Sequence, residues 1–138
     1  MDRRALLKLG LAGAAAASLP KAASAGGMGK GHMAGGVYYT KKSPGRWSKK
    51  VGGHQPSVEV MSGGKVRVVT GHAMKAHEHY IVKHMVLDKD FNFVAENMFD
   101  PTKDKAAVST FDLGSYKGEI HVLSVCNKHD TWMNSAMV

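Results

Sequence analysis

The sequence predicts an all-β protein folded as a sandwich of short strands. Three observations carry this. β-Branched and apolar residues come in short runs, turn-forming clusters separate those runs at close intervals, and no stretch after residue 25 keeps the periodicity of a long amphipathic helix. Runs at 58–60 and 65–69 flank Ser62-Gly63-Gly64, a hairpin turn. The run at 80–87 is closed by Asp88-Lys89-Asp90, and the run at 93–99 is stopped by Pro101. Runs at 107–113 and 119–125 are split by Gly114-Ser115-Tyr116-Lys117-Gly118. A last strand is expected at 132–138. No internal repeat is visible.

Ahead of these strands stands a leader. Arg3-Arg4 precedes an apolar stretch at 9–19, which is too short and too rich in Ala and Gly to span a bilayer well, and Ala23-Ser24-Ala25 offers small residues for cleavage. Residues 1–25 therefore read as a Tat-type signal peptide and imply export to the periplasm. Residues 26–36, rich in glycine, read as a flexible tether, in preference to a weak copper site on Met28, His32 and Met33. Residues 37–138 form the single expected domain, with no membrane span in the mature protein. Of the formal charge of +8, four basic residues and one Asp in the leader account for +3, which leaves the mature chain moderately basic. Arginine and lysine form no dense stripe interleaved with aromatics, which excludes a nucleic-acid surface. A basic surface suits the steering of a small anion. The lysines of Thr40-Lys41-Lys42 and Ser48-Lys49-Lys50 belong to an exposed loop.

The chain contains one cysteine, Cys126, with His129 three residues later. A lone cysteine in an exported protein has no internal disulfide partner. His72, His77 and His79 crowd between two expected strands, and His54 lies in a loop before the first. Loops at one end of a sandwich can converge, and imidazoles with a thiolate suit iron, copper or zinc. These residues are candidate metal ligands.

Gly53-His54-Gln55-Pro56, Glu78-His79-Tyr80-Ile81 and Cys126-Asn127-Lys128-His129 with Trp132, in this order and at this separation, resemble the desulfoferrodoxin/superoxide reductase family. The resemblance covers about the last hundred residues, essentially the mature domain, and is to neelaredoxin-like forms without an extra rubredoxin-like module. It implies an immunoglobulin-like β-sandwich and a mononuclear iron cycling between Fe2+ and Fe3+. It also implies four histidine ligands, His54, His72, His79 and His129, and one thiolate, Cys126. The implied activity is reduction of superoxide to hydrogen peroxide, with electrons from an unidentified external donor. Two departures stand out. The interval from His72 to His79 holds one residue more than is usual, and Ala73 replaces a proline, so His77 competes with His79 or His72 as the ligand; His79 is favoured because Glu78-His79-Tyr80-Ile81 keeps the motif phase, which leaves His77 as a surface or neighbouring residue. The Glu-Lys pair that often precedes the first histidine is Gly52-Gly53 here, so Lys49, Lys50 and Lys128 are candidates for its electrostatic role. Family members form dimers and tetramers, and exposed edge strands would permit a homo-oligomer.

Two other readings belong to different classes. Cys126-x-x-His129-x-x-x-Met133 with an upstream histidine matches the copper loop of cupredoxin electron carriers, which use two histidines, a cysteine and a weak axial methionine. A non-catalytic periplasmic accessory module is the third. Trp47 and Trp132 read as packing residues, His84 and His121 as strand residues without a ligand role, and Asn127 as a hydrogen-bonding neighbour of the thiol. No carboxylate pair, Ser/His/Asp pattern or phosphate loop is present.

Overall fold

The computed structural model describes residues 33–138. The expected leader and most of the expected tether lie outside them. The end of that tether, Ala34–Gly36, is a turn: Ala34 bridges Tyr38, and the Gly35 N–H donates to the Tyr38 carbonyl at 2.7 Å.

Seven antiparallel strands follow among the described residues: β1 (Ser57–Met61), β2 (Lys65–Thr70), β3 (Ile81–Leu87), β4 (Phe93–Met98), β5 (Ala107–Asp112), β6 (Glu119–Cys126) and β7 (Thr131–Met137). They form two sheets, β1-β2-β5 and β4-β3-β6-β7. From Ala34 onward, helix among the described residues is a 3-10 turn at Gly45–Trp47 and one α-turn at Val51–His54. Each strand predicted from its apolar run is present, with ends moved by a residue or two. His54, expected in a loop, closes the α-turn. Tyr39 adds a short parallel bridge beside Trp132, so one end of the β7 edge is covered.

Strand alternation sets the interior. Val66, Val68, Val86, Phe111, Ile120 and Val122 form the main apolar cluster. Ile81, Phe99, Ala107 and Cys126 form a second, smaller one nearer the end of the sandwich where β2 and β6 finish. Both Ile81 and His84 are fully buried although they stand three apart. The pairing of β3 with β6 shifts register between Ile81 and Lys83, and this bulge at Val82 changes the phase of the strand. Phe93 and Met98 on the edge strand β4 are exposed, as are Val60 and Met61 on the edge strand β1.

Candidate metal centre

Five elements end at one rim of the sandwich. His54 closes the α-turn, His72 follows β2, and His79 lies two residues before β3. Cys126 is the last residue of β6, and His129 sits in the turn to β7. Local hydrogen bonds shape each entry. The His72 N–H donates to the Thr70 carbonyl at 2.8 Å, turning the chain as β2 ends. Lys75 and His79 bridge each other's backbones across a tight loop in which Ala76 has a φ of 45°. The Cys126 N–H donates to the Asp130 carbonyl at 3.0 Å, with Asp130 at a φ of 64°, which folds the β6–β7 turn back over the strand end.

The result is a convergent set of donors. One donor atom from each of His54, His72, His79, Cys126 and His129 lies within 4.8 Å of all the others. The Nε2 atoms of His72 and His79 are 3.1 Å apart, His79 Nε2 is 3.1 Å from His129 Nδ1, and His129 Nδ1 is 3.1 Å from His54 Nε2. Around this circuit the ring centroids are 4.4 Å (72–79), 4.9 Å (79–129), 4.7 Å (129–54) and 4.7 Å (54–72) apart. His54 and His79, on the diagonal, are 6.3 Å apart. The four imidazoles thus stand at the corners of a near-square, neighbouring planes steeply inclined. Cys126 Sγ lies 3.7 Å from His129 Nδ1. Cys126 and His54 are buried and the other three half-buried, so solvent reaches the cluster from the imidazole side.

These residues fit a resident transition metal. Opposite donors at imidazole–metal bond lengths of roughly 2.0–2.1 Å lie about 4 Å apart, within the observed spread. The tautomers agree as well. His54 Nδ1 donates to the Lys50 carbonyl at 2.8 Å and His72 Nδ1 donates to the Ala73 carbonyl, which leaves a lone pair on each Nε2 facing the cluster. Burial, first, and then the neighbouring imidazoles push His54 down to about 4. His72, His79 and His129 are also held below the ordinary histidine value, in each case chiefly by burial. Neutral rings are the form that binds a cation.

The surroundings fix these donor side chains. Trp132, fully buried, donates its indole N–H to the His129 carbonyl at 2.8 Å and packs against the His54 ring. Trp47 meets His129 edge-on with centroids 4.8 Å apart. The Asp130 carboxylate accepts from the Trp47 indole at 2.7 Å and from Arg46 at 2.6 Å, and these two hydrogen bonds hold its pKa below the usual carboxylate range. Asn127 clamps the histidine loop: its Nδ2 donates to the carbonyls of His77 and Glu78, and its Oδ1 accepts the Tyr80 N–H. His77 packs on Tyr80, is exposed and lies outside the donor set.

Lys49, Lys50 and Lys128 are all exposed at this end. The charges of Lys50 and Lys128 act on His129, and those of Lys75 and Lys50 on His72. Lys75 is the residue that sequence reasoning missed; its place in the loop between two candidate ligands was the available signal. Arg46 and Asp130 were missed too, because nothing local ties a 3-10 turn to a residue 84 positions later. Met133 alternates to the face of β7 opposite Trp132 and lines a cleft of about 420 Å³ with Thr40, Lys41, Lys42, Gln55, Asn134 and Ser135.

No family model matches the sequence, and neither does any curated protein. Solved structures do match. A superoxide reductase (neelaredoxin) variant from Ignicoccus hospitalis aligns with a TM-score of 0.61 at 22% identity, over 75% of this chain and 94% of that one. The Ignicoccus hospitalis protein itself gives a TM-score of 0.57 at 23% identity, over 75% and 95%. A superoxide reductase (neelaredoxin) variant from Archaeoglobus fulgidus, in the reduced form, gives 0.54 at 23% identity, over 66% and 91%. The chain shares the β-sandwich fold of these superoxide reductases, and carries a His/Cys donor cluster at one end of it.

Proposed function

We propose that this protein holds a mononuclear iron on His54, His72, His79, His129 and Cys126 and reduces superoxide to hydrogen peroxide. The observation that carries the reading is the convergence of four imidazoles and one cysteine sulfur, whose donor atoms lie within 4.8 Å of one another. Structural zinc sites close with four ligands, and blue-copper sites use two histidines, a cysteine and a weak methionine. Five strong donors exceed both, and Met133, the methionine a copper carrier would need, belongs to the other face of β7. The fold neighbours are named superoxide reductases, which agrees with superoxide as the substrate.

Iron bound by His54, His72, His79, His129 and Cys126 would supply one-electron redox chemistry. The rest falls to the chain. The neutral imidazoles add no negative charge to the site, and Lys50, Lys75 and Lys128 give its rim a positive field that draws in an anion. Asp130, whose charge also acts on His129, is committed to Arg46 and Trp47 and so repels little. Gly52 and Gly53 place no side chain over the approach, and a Cβ at Gly52 would meet nothing within 4 Å. Reduction of one superoxide to hydrogen peroxide would consume one electron, supplied in the end by an external reductant, and two protons, which solvent at the half-buried imidazole side would deliver. Residues 1–25 would send the protein to the periplasm by the Tat route; replacing Arg3-Arg4 with two lysines is expected to keep it in the cytoplasm on cell fractionation.

The test is product stoichiometry with radiolytically generated superoxide and the pre-reduced, iron-loaded protein. One peroxide per superoxide and no dioxygen supports reduction. Dioxygen release would make it a dismutase, and no consumption beyond the spontaneous rate would leave a non-catalytic module.

A further inference from the structure

Between the two apolar clusters lies a polar stratum that the proposed chemistry does not use. On β2 and β5 of one sheet and β3 and β6 of the other, an inward polar residue follows the main apolar cluster toward the same rim, with Ser109 paired to Val68 and Thr70 to Ala107, one step apart, and His84 paired to Ser124. β2 runs Val66, Val68, Thr70; β5 runs Phe111, Ser109, Ala107; β3 runs Val86, His84, Ile81; β6 runs Ile120, Val122, Ser124, Cys126. Thr70, His84, Ser109 and Ser124 are 2%, 0%, 4% and 0% exposed. They satisfy one another. Thr70 Oγ1 is 2.8 Å from His84 Nε2 and 2.7 Å from Ser124 Oγ, His84 Nδ1 is 2.8 Å from Ser109 Oγ, and Asn97 Nδ2 donates to that oxygen at 2.9 Å.

The chain joins the sheets: Thr70 and Ser109 belong to one, His84, Ser124 and Asn97 to the other. An apolar layer would hold two sheets together with no polar group to satisfy, whereas hydrogen bonds have direction and fix relative position. Its placement says what is being fixed. Thr70 stands two residues before His72 and carries, through its carbonyl, the hydrogen bond that turns the chain toward that ligand. Ser124 stands two residues before Cys126 on the same face of β6. The 2.7 Å contact between the two hydroxyls therefore ties the strand that delivers an imidazole to the strand that delivers the thiolate.

We infer that Thr70, Ser124 and His84 are positioning residues that set the thiolate against the imidazole array across the two sheets. The inference rests on the metal-centre reading above. Its test uses Co(II) as the probe on metal-free protein, reading affinity by chelator competition and thiolate coordination by the charge-transfer absorption of the bound ion. Thr70→Val and Ser124→Ala are expected to lower Co(II) affinity by about tenfold, the effect typical of a lost neighbour to a ligand, and to shift the charge-transfer band. Thr70→Ser, which keeps the hydroxyl, is expected to restore both. Val68→Ala, in the apolar layer of the same strand, controls for loss of stability alone and is expected to leave the band in place. The inference is overturned if Thr70→Val alters affinity and band no more than Val68→Ala, or if Thr70→Ser fails to rescue. Wild-type protein that binds no Co(II) would instead overturn the metal-centre reading, and this inference with it.

Discussion

At the scale of single residues, the donor set is where sequence and structure meet most closely. Cys126, His129, His54 and His72 stood out as candidates because each is a ligand type at an expected strand end. The extra residue in the loop puts His77 in competition with His79, and the phase of Glu78-His79-Tyr80-Ile81 favours His79. Asn127 bears on the choice by gripping the backbone of His77, Glu78 and Tyr80, while His79 alone of the pair turns its ring into the cluster. Replacing His79 with alanine should cut metal occupancy sharply on elemental analysis, and His77→Ala should leave it near the wild-type value; the reverse order would move the ligand. Asp130 makes a second residue-level prediction. Its carboxylate holds the Trp47 indole that walls His129, so Asp130→Ala should cost roughly 1–3 kcal/mol in denaturant unfolding. The exposed ion pair with Arg46 contributes little of that, and Arg46→Ala alone should cost less than Asp130→Ala in the same titration.

Elements were legible wherever alternation and turn chemistry agreed. The hairpin between β1 and β2 is an instance: Gly63 and Gly64 have φ of 76° and 74°, a backbone that β-carbons resist. Their tolerance should differ. A Cβ on Gly63 would meet open space, so Gly63→Ala should cost only the conformational strain of about 1–2 kcal/mol. A Cβ on Gly64 would fall 2.2 Å from the Gly114 carbonyl oxygen, so Gly64→Ala must displace the turn after β5 as well and should lower the melting temperature further. Equal losses would contradict the close approach. What periodicity could not reveal is the bulge at Val82. The run at 80–87 reads as a strand whether or not its phase breaks, and only pairing with β6 shows that Ile81 and His84 share the core. His84 was accordingly read as a strand residue of no special position, and its fully buried place among three hydroxyls depends on strands far apart in sequence.

For the whole molecule, the consequence is a stability that depends on pH before any metal is considered. Burial pushes His84 down to about 4 from an ordinary 6.5. The unfolded chain therefore binds the proton first, and the contribution of neutral His84 is complete above about pH 6.5 and lost as pH falls toward 4. For the metal-free protein this one group should remove about 2 kcal/mol of unfolding free energy between about pH 7 and about pH 5. Denaturant titrations at the two pH values measure it: His84→Phe should reduce the difference by about that amount, leaving the part due to His54 and the other lowered histidines, and an unchanged difference in that variant would assign the effect elsewhere. The fold and the rim that gathers the histidines and Cys126 could be read from strand order and residue type. The layering of the interior, the role of Lys75 and the Arg46–Asp130 anchor could not, because each is made by contacts between segments that carry no mutual signal in the sequence. The central claim is a metal held by four imidazoles and the Cys126 thiolate. It is tested most directly by the visible absorption and EPR spectra of the oxidised, iron-loaded protein beside its Cys126→Ser variant. A high-spin ferric signal with a thiolate charge-transfer band in the first, and loss of that band in the second, is the predicted result. A Cu(II) spectrum, no bound metal, or a band that survives in Cys126→Ser would contradict it.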